Sequence, residues 1–121
     1  MTNINLIFGN TTVKAELNDT DTAQAFYEKL PLTIPVSGTG LDFCGRIPVK
    51  LPYEQSQVHN GWTNGDVNYN PQGGWFAVLH SGESESGIYD DQVVMGRIAE
   101  EDLSVVQGLD GSFDLVIERG E

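Results

Sequence analysis

The chain has 121 residues, 39% hydrophobic and 20% charged, which predicts one globular domain over residues 1–121 with a substantial core. Six basic residues face 18 acidic ones, and the formal net charge of -12 argues against nucleic acid and membrane surfaces as partners. The single cysteine, Cys44, predicts no internal disulfide. The opening stretch MTNINLIFGN has neither the basic nor the long apolar region of a signal peptide, so we expect a cytoplasmic protein.

The first half of the sequence predicts a hairpin, a helix and two further strands. Apolar residues alternate with polar ones on both sides of a Gly-Asn turn, at Ile4, Leu6, Phe8, Val13, Ala15 and Leu17. The stretch NDTDTAQAFYEKLP has apolar residues at helical spacing, which predicts a helix capped by Asp19 or Thr20 and ended by Pro31. LTIPV and LDFCGRIPVKL predict strands, and Pro35 indicates an edge or a bulge in the first of them.

The second half predicts a long surface loop, four strands and a second helix. Residues 52–64 are polar and aperiodic, and GDVNYN and GWFAVLH then predict two strands. In the turn between these strands, Gly73 is expected to be left-handed and Asn70 to bond the turn from its side chain. SGESESG predicts a flexible acidic loop, QVVMGRI a strand, AEEDLSVVQG a short helix with Leu103 and Val106 inward, and SFDLVIER a final strand.

Eight short antiparallel strands and two short helices predict a mainly β protein. Such strands pair best when the sheet closes on itself, because closure removes exposed edges. We therefore expect a closed eight-stranded β-barrel with two short helices.

Few residues have the surroundings that catalysis or metal binding requires. His59 and His80 are candidates for general bases or metal ligands, but neither has a second ligand at helical spacing. The acidic residues of the segment 83–91 fit a solvated loop better than a calcium site. Cys44 is expected to be a small buried apolar residue rather than a nucleophile. The sequence thus predicts no metal and no cofactor.

Arg46 is the most promising polar residue, because the strand that carries it also carries Phe43 and Ile47. An arginine at the mouth of an apolar pocket can hold an anion or a polarised amide. The alternative is an exposed arginine that offsets nearby acids. Large aromatic residues near the expected rim either line a groove or fill the core: Trp62, Tyr69, Trp75, Phe76 and Tyr89.

Three separated stretches, LNDTDTAQAFYEKLPLTI, NGDVNYNPQGGWFAVL and MGRIAEEDLSVV, resemble one family of small bacterial and archaeal proteins with a cyclophilin-like fold. The resemblance covers residues 4–118. It implies a closed eight-stranded barrel with a helix near each end. Members of this family have no firmly established activity, but true cyclophilins are peptidyl-prolyl cis/trans isomerases.

The stretch FCGRIP resembles the isomerase motif F-H-R-[VI]-I-P and implies that Arg46 occupies the position of the catalytic arginine. Tyr89, in YDDQVVMGRI, resembles a pocket tryptophan, and Phe76 lies near a pocket phenylalanine. Phe43, Tyr69, Phe76 and Tyr89 are thus the predicted ligand-binding residues. The match at Arg46 needs one inserted residue. The isomerase segment Q-G-G-D-F is missing from this sequence, and the histidine of the isomerase pocket has no counterpart in it. We expect little or no isomerase activity.

Three functions follow as hypotheses. The first is a barrel that binds a small molecule or a peptide segment in a surface pocket, as a monomer or weak homodimer. The second is a weak prolyl isomerase that uses Arg46. The third is a non-catalytic interaction module whose acidic surface meets a basic partner. Convergence of Arg46 and Tyr89 on one apolar pocket would favour the first two, and an Arg46 that points to solvent would favour the third.

Overall fold

The computed structural model describes residues 2–120, which form a closed antiparallel barrel with two short helices. The strands are β1 (Thr2–Phe8), β2 (Thr11–Leu17), β3 (Leu32–Gly38), β4 (Asp42–Arg46), β5 (Asp66–Asn70), β6 (Trp75–Leu79), β7 (Val93–Ile98) and β8 (Ser112–Arg119). The helices are α1 (Asp21–Glu28) and α2 (Leu103–Gln107). Around the barrel the strand order is β1-β2-β7-β5-β6-β4-β3-β8. The predicted mainly β, eight-stranded barrel is confirmed.

The barrel interior is filled by every second residue of the strands, as the alternating sequence pattern predicts. Phe8, Phe43 and Phe76 are among the largest fully buried side chains. Helix α1 adds Phe26, whose ring stacks on Phe76 with centroids 5.5 Å apart. Helix α2 adds the fully buried Val106. Within residues 2–120, no helix is long and apolar enough to cross a membrane.

Helix α1 begins and ends where the sequence predicts. The backbone N–H of Ala23 donates a hydrogen bond to the Thr20 side chain, so Thr20 rather than Asp19 is the N-cap. Ala23 and Phe26 are fully buried, as expected for residues on one helix face. Pro31 follows two residues after the C-cap, Lys29, and begins the connection to β3.

The turn between β5 and β6 differs from its prediction by one position. Gly74, not Gly73, has the left-handed conformation, with φ of +67°, and its N–H donates to the carbonyl oxygen of Asn70 at 2.9 Å. The loop has four residues rather than three, which moves the left-handed position one residue along. The Asn70 side chain donates to the carbonyl oxygen of Asp91 instead of bonding the turn.

Two further segments differ from their predictions. The acidic stretch expected to be a flexible loop contains a 3-10 helix, Glu83–Ile88, whose preceding Gly82 is left-handed. Strand β3 extends to Gly38, and Pro35 lies in its middle, paired with Asp114 of β8. On its other side β3 pairs with β4 only at Ser37 and Gly38, so the proline lies beside an interrupted ladder, as its missing N–H requires.

Candidate functional site

One wall of the barrel, formed by β4, β6, β5 and β7, exposes an outer face with an ordered arrangement of side chains. Direct cross-strand partners on this face form three rows, which contain Arg46–Trp75–Asn70, Cys44–Ala77–Asn68 and Asp42–Leu79–Asp66. The middle row has alanine at its centre. Because an alanine between longer side chains leaves a depression, this row forms the floor of a groove.

A second, small apolar cluster lies on this outer face, separate from the barrel core. It contains Trp62, Ala77 and Leu79, with Leu41 and Cys44 packed against it. Trp62 comes from the long loop of residues 47–65. A tryptophan in this position covers the sheet face and makes one wall of the groove.

Trp62 is held in place by hydrogen bonds at both ends. Its indole N–H donates to the carbonyl oxygen of Ser81 at 2.9 Å, and its backbone N–H donates to Ser86 Oγ at 2.9 Å. The Tyr89 ring packs against the indole with centroids 5.2 Å apart. The backbone N–H of Gly61 also donates to the carbonyl oxygen of Tyr89. The long loop and the segment of residues 80–92 therefore stabilise each other and form a preorganised wall.

The resulting depression, which we call the outer groove, has a volume of about 380 Å³. It is lined by Thr39, Leu41, Asp42, Cys44, Trp62, Asn70, Ala77, Leu79, Tyr89 and Gln92. An apolar, aromatic lining with a few polar groups at this size is typical of sites for small molecules. A larger cleft of about 500 Å³ lies on β1, β2 and β8, but it has charged residues of both signs and no aromatic residue in its lining.

A second depression, the side cleft, adjoins the outer groove and has a volume of about 300 Å³. The two share Asn70, Tyr89 and Gln92. Trp75 and Asp91 also line the side cleft. Outer groove and side cleft thus adjoin each other, with Tyr89 lining both.

The structure does not bring the five predicted site residues together. Phe43, Tyr69 and Phe76 are only 1%, 3% and 0% exposed and belong to the barrel core, so they do not line the outer groove, and their ligand-binding role stays a prediction. Side chains on a strand alternate between its two faces. Phe43 and Arg46 are three residues apart on β4 and must therefore face opposite sides, while Tyr69 and Phe76 are direct cross-strand partners that both face inward.

The other two predicted residues lie on the outer face. Tyr89 is 44% exposed and lines both the outer groove and the side cleft. Arg46 is exposed, and its guanidinium lies over the Trp75 ring, 4.8 Å from the centroid. Arg46 therefore lies beside the side cleft, over its lining residue Trp75, rather than inside the outer groove. The catalytic role of Arg46 stays a prediction.

Several lining residues were not predicted from the sequence, notably Asp42, Asn70 and Gln92. Asn68 Nδ2 donates to Gln92 Oε1 at 2.8 Å, and Gln92 Nε2 donates to the carbonyl oxygen of Asp90 at 3.2 Å. These amides join β5 to the segment before β7. Trp62 is a tryptophan in an otherwise polar loop. Such a residue is a signal in the sequence that the loop packs against a sheet.

Asp42 and Cys44 line the outer groove, and the buried His80 interacts electrostatically with Asp42. Burial raises the pKa of Asp42, although hydrogen bonds from Thr39 and Cys44 and the charge of His80 oppose this shift. Burial, and then the charge and hydrogen bond of Asp42, raise the pKa of Cys44 to about 11. Burial lowers the pKa of His80, with Asp42 opposing. The half-buried Cys44 is thus a neutral hydrogen-bond donor, not an activated nucleophile.

Cys44 is expected to react slowly with iodoacetamide. At pH 8, roughly one thiol in a thousand is ionised at a pKa of about 11, against roughly one in ten at the ordinary value of 9.0. Alkylation followed by mass spectrometry should be at least about tenfold slower in the folded protein than in urea. Asp42→Asn should accelerate the alkylation of Cys44 in the folded protein, because it removes the charge that adds to burial in raising the pKa of the thiol. Asp110→Asn should leave this rate unchanged. Equal rates for the folded protein and both variants would contradict this assignment.

Metal binding has little support in the structure. Among residues 2–120, no group of three His, Cys, Asp or Glu side chains has the arrangement of a metal site. His59 Nδ1 lies 3.1 Å from the carbonyl oxygen of Gln57, and His80 Nδ1 lies 2.7 Å from Ser81 Oγ. Both imidazoles therefore have local hydrogen-bond partners.

Comparison with known proteins assigns the chain to a family. The solution structure of a hypothetical protein from Archaeoglobus fulgidus has the same fold, with a TM-score of 0.73 at 18% sequence identity. The match covers 98% of this chain and 95% of the archaeal one. No match was found among curated proteins. The model of the Cyclophilin-like family matches residues 6–118. The chain therefore belongs to the Cyclophilin-like family.

Proposed function

We propose that this protein binds a small molecule or a short peptide segment in the outer groove, without chemical transformation. The observation that carries the proposal is the arrangement of Trp62, Tyr89 and Ala77. Trp62 is fixed by two hydrogen bonds and Tyr89 packs on it, while Ala77 leaves the floor between them open. A wall that is already ordered loses little conformational entropy when a ligand binds.

The polar groups around the outer groove favour ligands with N–H donors. Asp42 contributes a carboxylate at one end of the groove, and no lysine or arginine of residues 2–120 lines it. The chain also carries a net charge of -12, which disfavours anions. We therefore propose a neutral or cationic ligand with an apolar part that packs on Trp62 and Tyr89.

Tyr89→Ala should weaken the binding of a ligand in the outer groove about tenfold. An exposed aromatic side chain at the centre of a binding site supplies much of the surface that contacts the ligand. Tyr53→Ala is the matched control, since Tyr53 is 42% exposed, against 44% for Tyr89, and does not line the outer groove. Ligands would be found by screening fragments and short peptides for NMR shifts of the Trp62 indole. Equal affinities in both variants, or no shift with any compound, would contradict the proposal.

Prolyl isomerisation is a second candidate function, and one observation favours it. Arg46 projects from the same outer face as Cys44, two residues away on β4, and so lies beside the groove in which a proline ring would bind. Its guanidinium would then have to leave the Trp75 ring to reach an amide. An isomerisation assay on a proline-containing peptide decides this, with Arg46→Ala as the variant. Catalysis that is lost in Arg46→Ala would establish the isomerase and overturn the proposal of binding alone.

A further inference from the structure

Asp91, at the edge of the side cleft, has two unusual features. It is the one residue other than glycine with a positive φ in the described range 2–120, at 64°. Its side chain is buried, with 9% exposure, and Oδ2 accepts a hydrogen bond from the Gln72 N–H at 2.9 Å. Oδ1, however, has no hydrogen-bond partner among residues 2–120. The hydrogen bond from Gln72 shows that Oδ2 supports the turn between β5 and β6. It does not explain why Oδ1, a buried acceptor, has no partner.

The side cleft also collects exposed apolar surface. Five large hydrophobic side chains of residues 2–120 are exposed, and three of them line this one cleft: Trp75 at 37%, Ile88 at 83% and Tyr89 at 44%. Grouped exposed apolar residues around a polar centre are typical of a recognition site. Asp91 is that polar centre.

The charged residues that line the side cleft are both acidic. Asp90 and Asp91 both line it, and no lysine or arginine does. Trp75 already accepts one cation, because the Arg46 guanidinium lies over its ring at 4.8 Å. Aromatic faces and a carboxylate together attract organic cations, whose alkyl stems also bury apolar surface.

We propose that the side cleft binds the basic side chain, lysine or arginine, of a peptide whose neighbouring residues occupy the outer groove. This inference rests on the proposed function of the outer groove, which adjoins the side cleft and shares Asn70, Tyr89 and Gln92 with it. The cationic group pairs with the Asp91 carboxylate, whose Oδ1 is buried and has no hydrogen-bond partner among residues 2–120. The alkyl stem packs on Ile88 and Tyr89.

An inorganic cation fits the side cleft less well. Hard divalent cations take six or more oxygen ligands, whereas this lining holds two carboxylates, Asp90 and Asp91, beside three exposed apolar side chains. Among residues 2–120, no three His, Cys, Asp or Glu side chains are grouped so that they could hold a metal ion. The organic cation uses both the carboxylate and the rings.

The test uses the full chain and two blocked amino acids, N-acetyl-lysine methylamide and the neutral N-acetyl-norleucine methylamide. We expect the lysine probe to shift the NMR signals of Trp75 and Asp91 and to bind at least about fivefold more tightly than norleucine. Asp91→Asn should abolish this preference while it keeps the fold, because asparagine tolerates positive φ and still accepts a bond from Gln72. Asp110→Asn is the control and should keep the preference.

Each result bears on one hypothesis. Equal binding of both probes, or a lysine preference that survives Asp91→Asn, would overturn the cation site and leave the outer groove to be judged by the Tyr89 variant. Shifts at Asp91 with magnesium chloride but not with the lysine probe would also overturn it in favour of an inorganic cation. A lysine preference that weakens at high salt supports it, because salt screens a partly exposed ion pair.

Discussion

Replacement of Gly45 by alanine is expected to destabilise the protein by about 3 kcal/mol. Gly45 faces the barrel interior on β4, and a Cβ at this position would overlap the carbonyl oxygen of Pro35 and lie 3.3 Å from Ile34 Cγ2. The overlapping atom belongs to the backbone of β3 and cannot rotate away as a side chain can. The two strands would have to move apart, and the packing between them would loosen.

Urea denaturation followed by tryptophan fluorescence measures this effect. Gly87→Ala is the matched control, because a Cβ at Gly87 meets no atom within 4 Å and its backbone does not have a positive φ. We expect the control to change stability by less than about 0.5 kcal/mol. Equal unfolding midpoints for the two variants would show that the contact between Gly45 and Pro35 does not constrain the barrel.

Phe76→Ala should destabilise the protein by about 4 kcal/mol, the second large effect. Phe76 is fully buried in the barrel and its ring stacks on Phe26 of α1 at an interplanar angle of 16°. Truncation leaves a cavity and removes the ring contact between β6 and helix α1. The neighbouring Trp75 is 37% exposed on the other face, so Trp75→Ala should cost less than about 1 kcal/mol.

The milder variant Phe76→Leu separates a core role from a pocket role. It keeps most of the buried volume, so the folded protein should bind outer-groove ligands with unchanged affinity. Thermal unfolding reports its stability and NMR titration reports its affinity. A folded Phe76→Leu variant that has lost binding would establish Phe76 as a ligand-binding residue, as the resemblance to isomerases implies.

The position of Phe43 and Arg46 on opposite faces of β4 has a specific cause. The isomerase motif separates its phenylalanine and arginine by two positions, which places both on one face of a strand, whereas Phe43 and Arg46 are separated by three. The inserted residue therefore reverses the relation between them. The separation of Phe43 and Arg46 by three positions already indicates that they face opposite sides of the strand. The resemblance to the isomerase motif suggests the contrary.

The site also depends on contacts that no local pattern encodes. Trp62 reaches Ser86, 24 positions along the chain, and Cys44 lies beside Ala77 only through the pairing of β4 with β6. The raised pKa of Cys44 likewise depends on burial that tertiary packing creates. Residue types indicated which side chains could matter, but the register of the strands decided which of them meet.

The sequence by itself determined the strands, the first helix and the closure of the barrel. The alternation of apolar residues and the Thr20 cap are local patterns that can be read from neighbouring residues. The closure of the barrel follows from a general rule, because exposed sheet edges leave backbone groups unpaired. The tertiary structure alone decided the left-handed Asp91, the wall made by Trp62 and Tyr89, and the inward position of Tyr69 and Phe76. These features depend on long-range packing, whose free energy is shared among residues far apart in the chain.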